Sequence, residues 1–248
     1  MKIAIMQPYL FPYIGYFQLI NYADKWVVFD DVQFISKGWI NRNRILHPEP
    51  EKEWQYITVP LEKHSRESKI IDVKINNHLR WKDEFLGKLT SYKRKAPYYS
   101  ETVDFVRYCL EQPPSTLSKW VEGTLSKTCN YLNIPFDCSV FSEMAINTNS
   151  VEHAGQWALE ITNGMGGAEY VNPAGGSHIF NENEFIEKNI NLRFLSSKLT
   201  PYIQRRGSFV SGLSIIDVMM WNDKNTIQEM LNDYEVKPYD ALLGKGNE

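Results

Sequence analysis

Cysteine is scarce: Cys109, Cys129 and Cys138 are the whole complement of a 248-residue chain. An odd count with no CxxC spacing encodes neither a disulfide framework nor a zinc knuckle, so the three read as free thiols, with Cys109 and Cys129 on helical patterns. Histidine is equally thin. His47, His64, His78, His153 and His178 form no HxH, HExxH or mixed Cys/His set, and no zinc site is expected. Basic charge is not in excess: 27 Lys and Arg against 30 Asp and Glu leave a formal charge of −3. Such a chain has no global field to attract a phosphate polymer, which removes nucleic acid as a partner. No stretch approaches the roughly 18 apolar residues of a membrane span, and the apolar start Met1–Pro8 is too short for a signal peptide. A cytoplasmic protein without a membrane span is the expectation. GxSxG elbows, Walker loops and kinase signatures are also absent, which removes the commonest hydrolases and phosphotransferases.

What is present suits a globular enzyme-sized domain. Hydrophobic residues make up 43% and charged residues 23%, enough apolar material for a sizeable core. Short apolar runs at 3–6 and 26–29 flank a helical spacer at 13–22, which predicts a βαβ unit over residues 3–29. Further strands are expected at 55–59, 70–75, 136–140, 169–171 and 192–195, where β-branched and aromatic residues predominate. Apolar spacings of three and four predict helices over 79–92, 103–110, 117–132, 151–162, 184–188, 215–221 and 227–234. Ser115, Ser150 and either Ser211 or Ser214 are candidate N-caps, and Asn133 and Gly164 candidate stops. The fold class that follows is α/β: a mostly parallel, Rossmann-like sheet flanked by helices, one domain over 1–240 with a helical insertion at 79–132 and a frayed tail at 241–248.

In doubly wound sheets ligands sit beyond the carboxyl ends of the strands, so the polar residues there are the candidates. The first strand empties into Gln7-Pro8-Tyr9-Leu10-Phe11-Pro12-Tyr13-Ile14-Gly15-Tyr16, either a rigid aromatic turn or a ligand loop at a helix N-terminus. The second ends in Asp30-Asp31, ahead of Lys37 and Asn41-Arg42-Asn43-Arg44. Adjacent carboxylates there can hold a metal, bond a ribose, act as a base or only cap a turn, and the arginine forks suit phosphate. Asn172-Pro173-Ala174-Gly175-Gly176 allows close backbone approach to a phosphate or sugar, with His178 as a candidate base just beyond. Gln204-Arg205-Arg206-Gly207 leads towards Leu213–Asp217, where an arginine can clamp a phosphate. Gly164-Met165-Gly166-Gly167 follows a helix and precedes a strand, the reverse of a dinucleotide fingerprint.

Taken together, the blocks Gln7–Leu19, Asp30–Phe34, Asn41–Arg44, Asn172–Gly176 and Leu213–Asp217 resemble the WbqC-like family over nearly the whole chain. The resemblance implies a place in bacterial O-antigen and related surface-polysaccharide pathways. Tyr13-Ile14-Gly15-Tyr16 is also similar in spacing to the His-x-Gly-His loop of HIGH-type nucleotidylyltransferases, with tyrosine in both histidine places. Neutral phenols supply no positive charge to a transferring phosphoryl group, so that chemistry stays a rival reading. The leading expectation is a transferase that moves an acyl or aminoacyl group to the amine of a nucleotide-linked amino sugar. Catalytic candidates are Asp30, Asp31 and His178; substrate-binding candidates are Gln7, Tyr9, Phe11, Tyr13, Tyr16, Lys37, Asn41, Arg42, Asn43, Arg44, Asn172, Gly175, Gly176, Arg205 and Asp217. No acyl-enzyme nucleophile is evident, and direct attack by the amine on a thioester carried by coenzyme A or an acyl carrier protein needs none. No other cofactor is implied. The third alternative is a non-catalytic sugar-nucleotide-binding protein.

Overall fold

The computed structural model describes residues 1–78, 80–111 and 116–243. β1 (Lys2–Met6) alternates its side chains between two separate cores: Ala4 points into one, Ile3 and Ile5 into the other. β2 (Lys25–Val28) does the same with Trp26 and Val28 against Val27. Strands buried on both faces need helices on both faces, which is why their apolar residues run continuously. α1 (Ile14–Tyr22) covers the first face, and the helix between them makes β1 and β2 parallel neighbours, as the βαβ reading requires.

The six-stranded sheet runs β5-β2-β1-β6-β7-β8, where β5 is Cys138–Val140, β6 Glu169–Pro173, β7 Asn191–Ser197 and β8 Tyr234–Pro238. All pairings are parallel except β7 with β8, so the fold is α/β with a mostly parallel sheet. The chain builds outward from β1 to β2 and β5, then returns to β6 on the other side of β1. The carboxyl ends of β1 and β6 therefore flank the point where strand order reverses. β3 (Arg42–Leu46) and β4 (Trp54–Thr58) form a separate antiparallel hairpin. Between β4 and β5 come α2 (Trp81–Leu89), α3 (Tyr99–Leu110) and α4 (Leu117–Tyr131), all feeding the first core. α5 (Ala154–Gly164) and α6 (Glu182–Glu187) supply the second, while α7 (Ile215–Trp221) and α8 (Lys224–Met230) return to the first.

Several expectations are corrected. The segment 70–75 is a 3-10 turn at Ile70–Asp72 followed by single bridges, Leu61 with Ile75 and Lys74 with Thr116; Val73 and Ile75 alternate like a strand but no partner offers a ladder. The helical spacing that runs to Tyr234 stops at Met230, because Asn232 and Asp233 turn the chain and Tyr234–Pro238 becomes the antiparallel edge. Arg42–Arg44, for which no element is expected, belongs to strand β3. His153 caps α5 in place of Ser150, its ring nitrogen accepting the Gly155 N–H; α5 does end at the expected Gly164, with a left-handed turn following at Gly166, φ 68°. Asn133 does take the left-handed conformation behind α4, at φ 54°. The expected tail includes a last helix, α9 (Tyr239–Leu243). Residues 244–248, Leu79 and the candidate cap Ser115 lie outside the described residues.

Gln18 ties the two ends of the sequence together. It is fully buried on α1, and its Nε2 donates to the carbonyls of Met230 (2.7 Å), Asp233 (3.0 Å) and Lys198 (3.4 Å). A Gln18→Leu variant keeps the volume but strips these carbonyls of a donor. We expect urea denaturation to show a loss of about 1–3 kcal/mol with an unchanged slope, the scale of buried acceptors left unpaired.

Candidate functional site

Beyond β1 the chain has no ladder, so each backbone carbonyl of the next six residues needs a donor from elsewhere. The Tyr16 hydroxyl donates to Gln7 O at 2.8 Å. Asn43, buried on β3, places its amide nitrogen between Leu10 O (2.8 Å) and Phe11 O (2.9 Å), and its own oxygen accepts the Arg44 N–H. Ser214, the N-cap of α7, donates its hydroxyl to Phe11 O at 2.7 Å, and Ile215 N–H reaches Pro12 O at 2.8 Å. Phe11 is held at φ 38°, a conformation non-glycine residues adopt only when their surroundings dictate it. Three segments distant in sequence, 7–16, 41–44 and 212–215, are thereby fastened to one another.

They enclose an aromatic cleft of about 200 Å³ lined by Tyr9, Pro12, Tyr13, Trp39, Arg44 and Leu199 among others. Burial pushes the Tyr13 phenol up, with Ser197 offsetting part of the effect; burial and then Tyr13 push Tyr9 up. Both rings are therefore neutral hydrogen-bonding walls at physiological pH. Gly15 is required here, since a Cβ would sit 2.3 Å from the Ser197 hydroxyl and from the Tyr13 ring. Arg44 supplies the charge. Its guanidinium lies over Trp39 at 5.2 Å and Trp54 at 5.3 Å, and Nη2 donates to Gly212 O at 3.2 Å. Among the described residues no carboxylate pairs with it, and its buried Nε–H has no partner. The alternation of β3 explains the arrangement: Asn43 and Ile45 turn inward while Arg42 and Arg44 share the outer face with Trp54 and Tyr56 of β4.

Arg42 has a different task. It lies 4.2 Å over the Tyr56 ring and donates to the carbonyls of Gly38 and Lys37, so it secures the exposed Lys37 turn. Asn41 donates to Val59 O within the hairpin at 2.9 Å. Phe11 and Tyr16 are core residues beneath the cleft rather than its walls, Phe11 meeting Phe85 and Trp120, and Tyr16 packing on Trp26 at 4.9 Å. Asp217 is fully buried, accepting Tyr92 OH and Tyr202 OH, each at 2.6 Å, and Gln204 Nε2 at 3.0 Å. Burial raises its carboxyl while these donors oppose the rise. It anchors the 198–213 segment, whose Leu199 and Gly212 line the cleft, without facing the cleft itself. Arg205 is exposed at φ 45° and borders a separate small hollow.

The remaining candidates stand elsewhere. Gly176 is glycine because a Cβ would lie 2.5 Å from the Asn172 amide nitrogen, and Asn172 is itself engaged by Tyr170 OH and Pro173 O. That turn, with exposed Gly175 and His178, does not line the cleft. Asp31 pairs with Lys69 at 2.8 Å. Asp30, beyond β2, is buried and accepts Ser142 N–H (3.0 Å), Ser142 OH (2.8 Å) and Ser118 OH (3.2 Å). These three donors occupy both of its oxygens. It forms the floor of a second hollow of about 650 Å³ between α4 and β5, lined also by Glu122, Ser139 and Glu143. Burial holds the thiols of Cys109 and Cys138 up at about 12 and that of Cys129 higher still, so none is a nucleophile near neutral pH. No three His, Cys, Asp or Glu side chains among the described residues converge to hold a metal ion, and none of those residues forms a helix long and apolar enough to cross a membrane.

Comparison with known proteins adds a family. The model of the WbqC-like protein family matches residues 7–229. A Mycobacterium tuberculosis protein described as uncharacterized protein Rv1507c is 26% identical over 231 residues, covering 88% of this chain and 92% of that protein. No solved structure matches the chain.

The Asn43 amide carries a direct stability expectation. Asn43→Leu leaves Leu10 O without a donor and Phe11 O with only Ser214, so chemical denaturation should show a loss of about 2–4 kcal/mol. A loss below about 0.5 kcal/mol, the level of an ordinary surface change, would show that the loop is not fastened through this side chain.

Proposed function

The chain belongs to the WbqC-like protein family, and on that footing we propose that it binds a nucleotide-linked sugar in the cleft between Tyr9, Tyr13, Trp39 and Arg44. We further propose that it does so as a cytoplasmic enzyme of bacterial surface-polysaccharide assembly, transferring an acyl or aminoacyl group to the amine of that sugar. The observation that supports this reading is Arg44: a guanidinium without a carboxylate partner among the described residues, set among aromatic rings beyond the carboxyl end of a parallel strand. An unneutralised, partly buried cation favours an anionic ligand, and its planar fork suits a phosphate oxygen pair. Flat aromatic walls with neutral hydroxyl tips suit a nucleobase or sugar ring. At about 200 Å³ the cleft holds one ring and one anionic group, not a whole nucleotide sugar, so the rest of the ligand extends out of it.

The protonated state of all three thiols favours transfer without an acyl-enzyme intermediate. The amine nitrogen attacks the thioester carbonyl of a coenzyme A or carrier-protein donor, the N–C bond forms, the C–S bond breaks, and the thiol departs with the proton the nitrogen loses. Asp30 and Asp31 are already engaged by serines and by Lys69, and the departing sulfur is the proton's final acceptor.

Calorimetric titration with nucleoside-diphosphate sugars tests the binding step. Arg44→Ala should weaken binding by about 1.5–3 kcal/mol, the scale of a lost charge-assisted hydrogen bond. Arg42→Ala, which removes an arginine committed to the Lys37 turn, should change it by less than about 0.5 kcal/mol. Equal effects of the two substitutions, or none from Arg44, would remove the cleft from the account. Mass spectrometry of a nucleotide-linked amino sugar incubated with an acyl thioester should show the acylated sugar; its absence with every donor would leave binding without transfer.

A further inference from the structure

The second hollow differs from the cleft in size and in charge. It measures about 650 Å³, within the usual range for small-molecule sites. Asp30 fixes its floor by accepting from Ser142 and Ser118, which orients both hydroxyl oxygens with lone pairs to spare. Ser118 and Glu122 lie one turn apart on the same face of α4, and Ser139 adds a further hydroxyl from β5. Glu143 and Lys119 stand at the rim, 3.9 Å apart and largely exposed, a pairing that water screens.

Three carboxylates against one ammonium make the lining acidic, which disfavours a phosphate. Glu122 is half-buried and has no hydrogen-bond or ion-pair partner among the described residues; burial first and the neighbouring Glu143 second push its carboxyl up. A cation entering beside it would relieve both effects. The donor set does not assemble a three-ligand metal site. Hydroxyls, a floor carboxylate and an unpartnered carboxylate in one concavity fit an organic cation that carries hydroxyl groups of its own.

We infer that this hollow is a binding site for a hydroxyl-rich primary ammonium, the class to which amino sugars belong, with Glu122 facing the ammonium and Ser118, Ser139 and Ser142 the hydroxyls. This deepens the reading proposed above by giving the sugar amine a place apart from the phosphate-binding Arg44. Free glucosamine therefore binds here without any nucleotide.

A nuclear magnetic resonance titration following the amides of α4 and of residues 138–143 tests it, with glucosamine as probe and glucose, N-acetylglucosamine and magnesium chloride as controls. The expected result is that glucosamine perturbs these amides at a concentration about tenfold or more below either neutral sugar. Glu122→Gln, an isosteric change at a half-exposed position, should bring glucosamine down to the level of glucose, while Arg44→Ala should leave the glucosamine response intact. Equal responses to glucosamine and glucose, no response to any sugar, or displacement of glucosamine by magnesium would overturn the inference. Loss of the response in Arg44→Ala would also overturn it, by moving the amine to the cleft. Failure of nucleoside-diphosphate sugars to bind would sink the reading above and leave this site standing for free amino sugars.

Discussion

A parallel strand that ends must hand its backbone to something else, and the segment that follows β1 hands its carbonyls to side chains and N–H groups from two distant parts of the chain. The Asn43 amide and the Ser214 hydroxyl converge on Phe11 O, and Ile215 N–H takes the next carbonyl along. A buried carbonyl left alone costs on the order of 1–3 kcal/mol, so the hairpin, the loop and α7 hold one arrangement together. Phe11 at positive φ is stable only because these partners over-determine it. The aromatic cleft is a consequence: Tyr9 and Tyr13 ride on the fastened loop, Arg44 is the next residue after Asn43, and Gly212 precedes the Ser214 cap by two positions.

The same economy appears in the charges. Among the described residues no carboxylate pairs with Arg44, while Arg42 is committed to the Lys37 turn, although the two arginines sit on one face of the hairpin. Beyond β2, Asp30 does not offer its charge to solvent but organises two serines, while Glu122 has no donor among the described residues. A cationic cleft and an acidic hollow at the same end of one sheet suit the two ends of a zwitterionic or amine-bearing phosphorylated ligand better than a uniformly charged one.

Much of the frame was legible because it follows from local pattern. The continuous apolar runs of β1 and β2 and the helical spacer between them dictate a parallel unit, and Ser214 reads as a cap because a helix start follows it. What escaped is tertiary. The 70–75 segment has strand alternation but no neighbour to pair with, and Tyr234–Pro238 continues a helical spacing until Asn232-Asp233 breaks it. Arg42-Asn43-Arg44 drew no strand expectation because arginines and asparagines are poor strand formers; the period-two signal lay in the partner, where Trp54 and Tyr56 alternate to meet them. At the site, three of the five blocks that stood out in sequence are brought together around the cleft, whereas Asn172–Gly176 is a self-contained turn and Asp30 belongs to another hollow. Glu122 carried no sequence signal at all: on α4 it is one polar residue among several, and only the packing of β5 against that helix gives it a cavity.

The central claim is that Arg44 receives the anionic part of a sugar nucleotide within the cleft set by Asn43 and Ser214. A crystal structure with a bound nucleoside-diphosphate sugar tests it most directly. The account predicts a phosphate oxygen within hydrogen-bonding distance of the Arg44 guanidinium and a ring against Tyr9, Tyr13 or Trp39. A ligand seated instead between the carboxyl ends of β1 and β6, against Gly175 and Gly176 with the cleft empty, would contradict it.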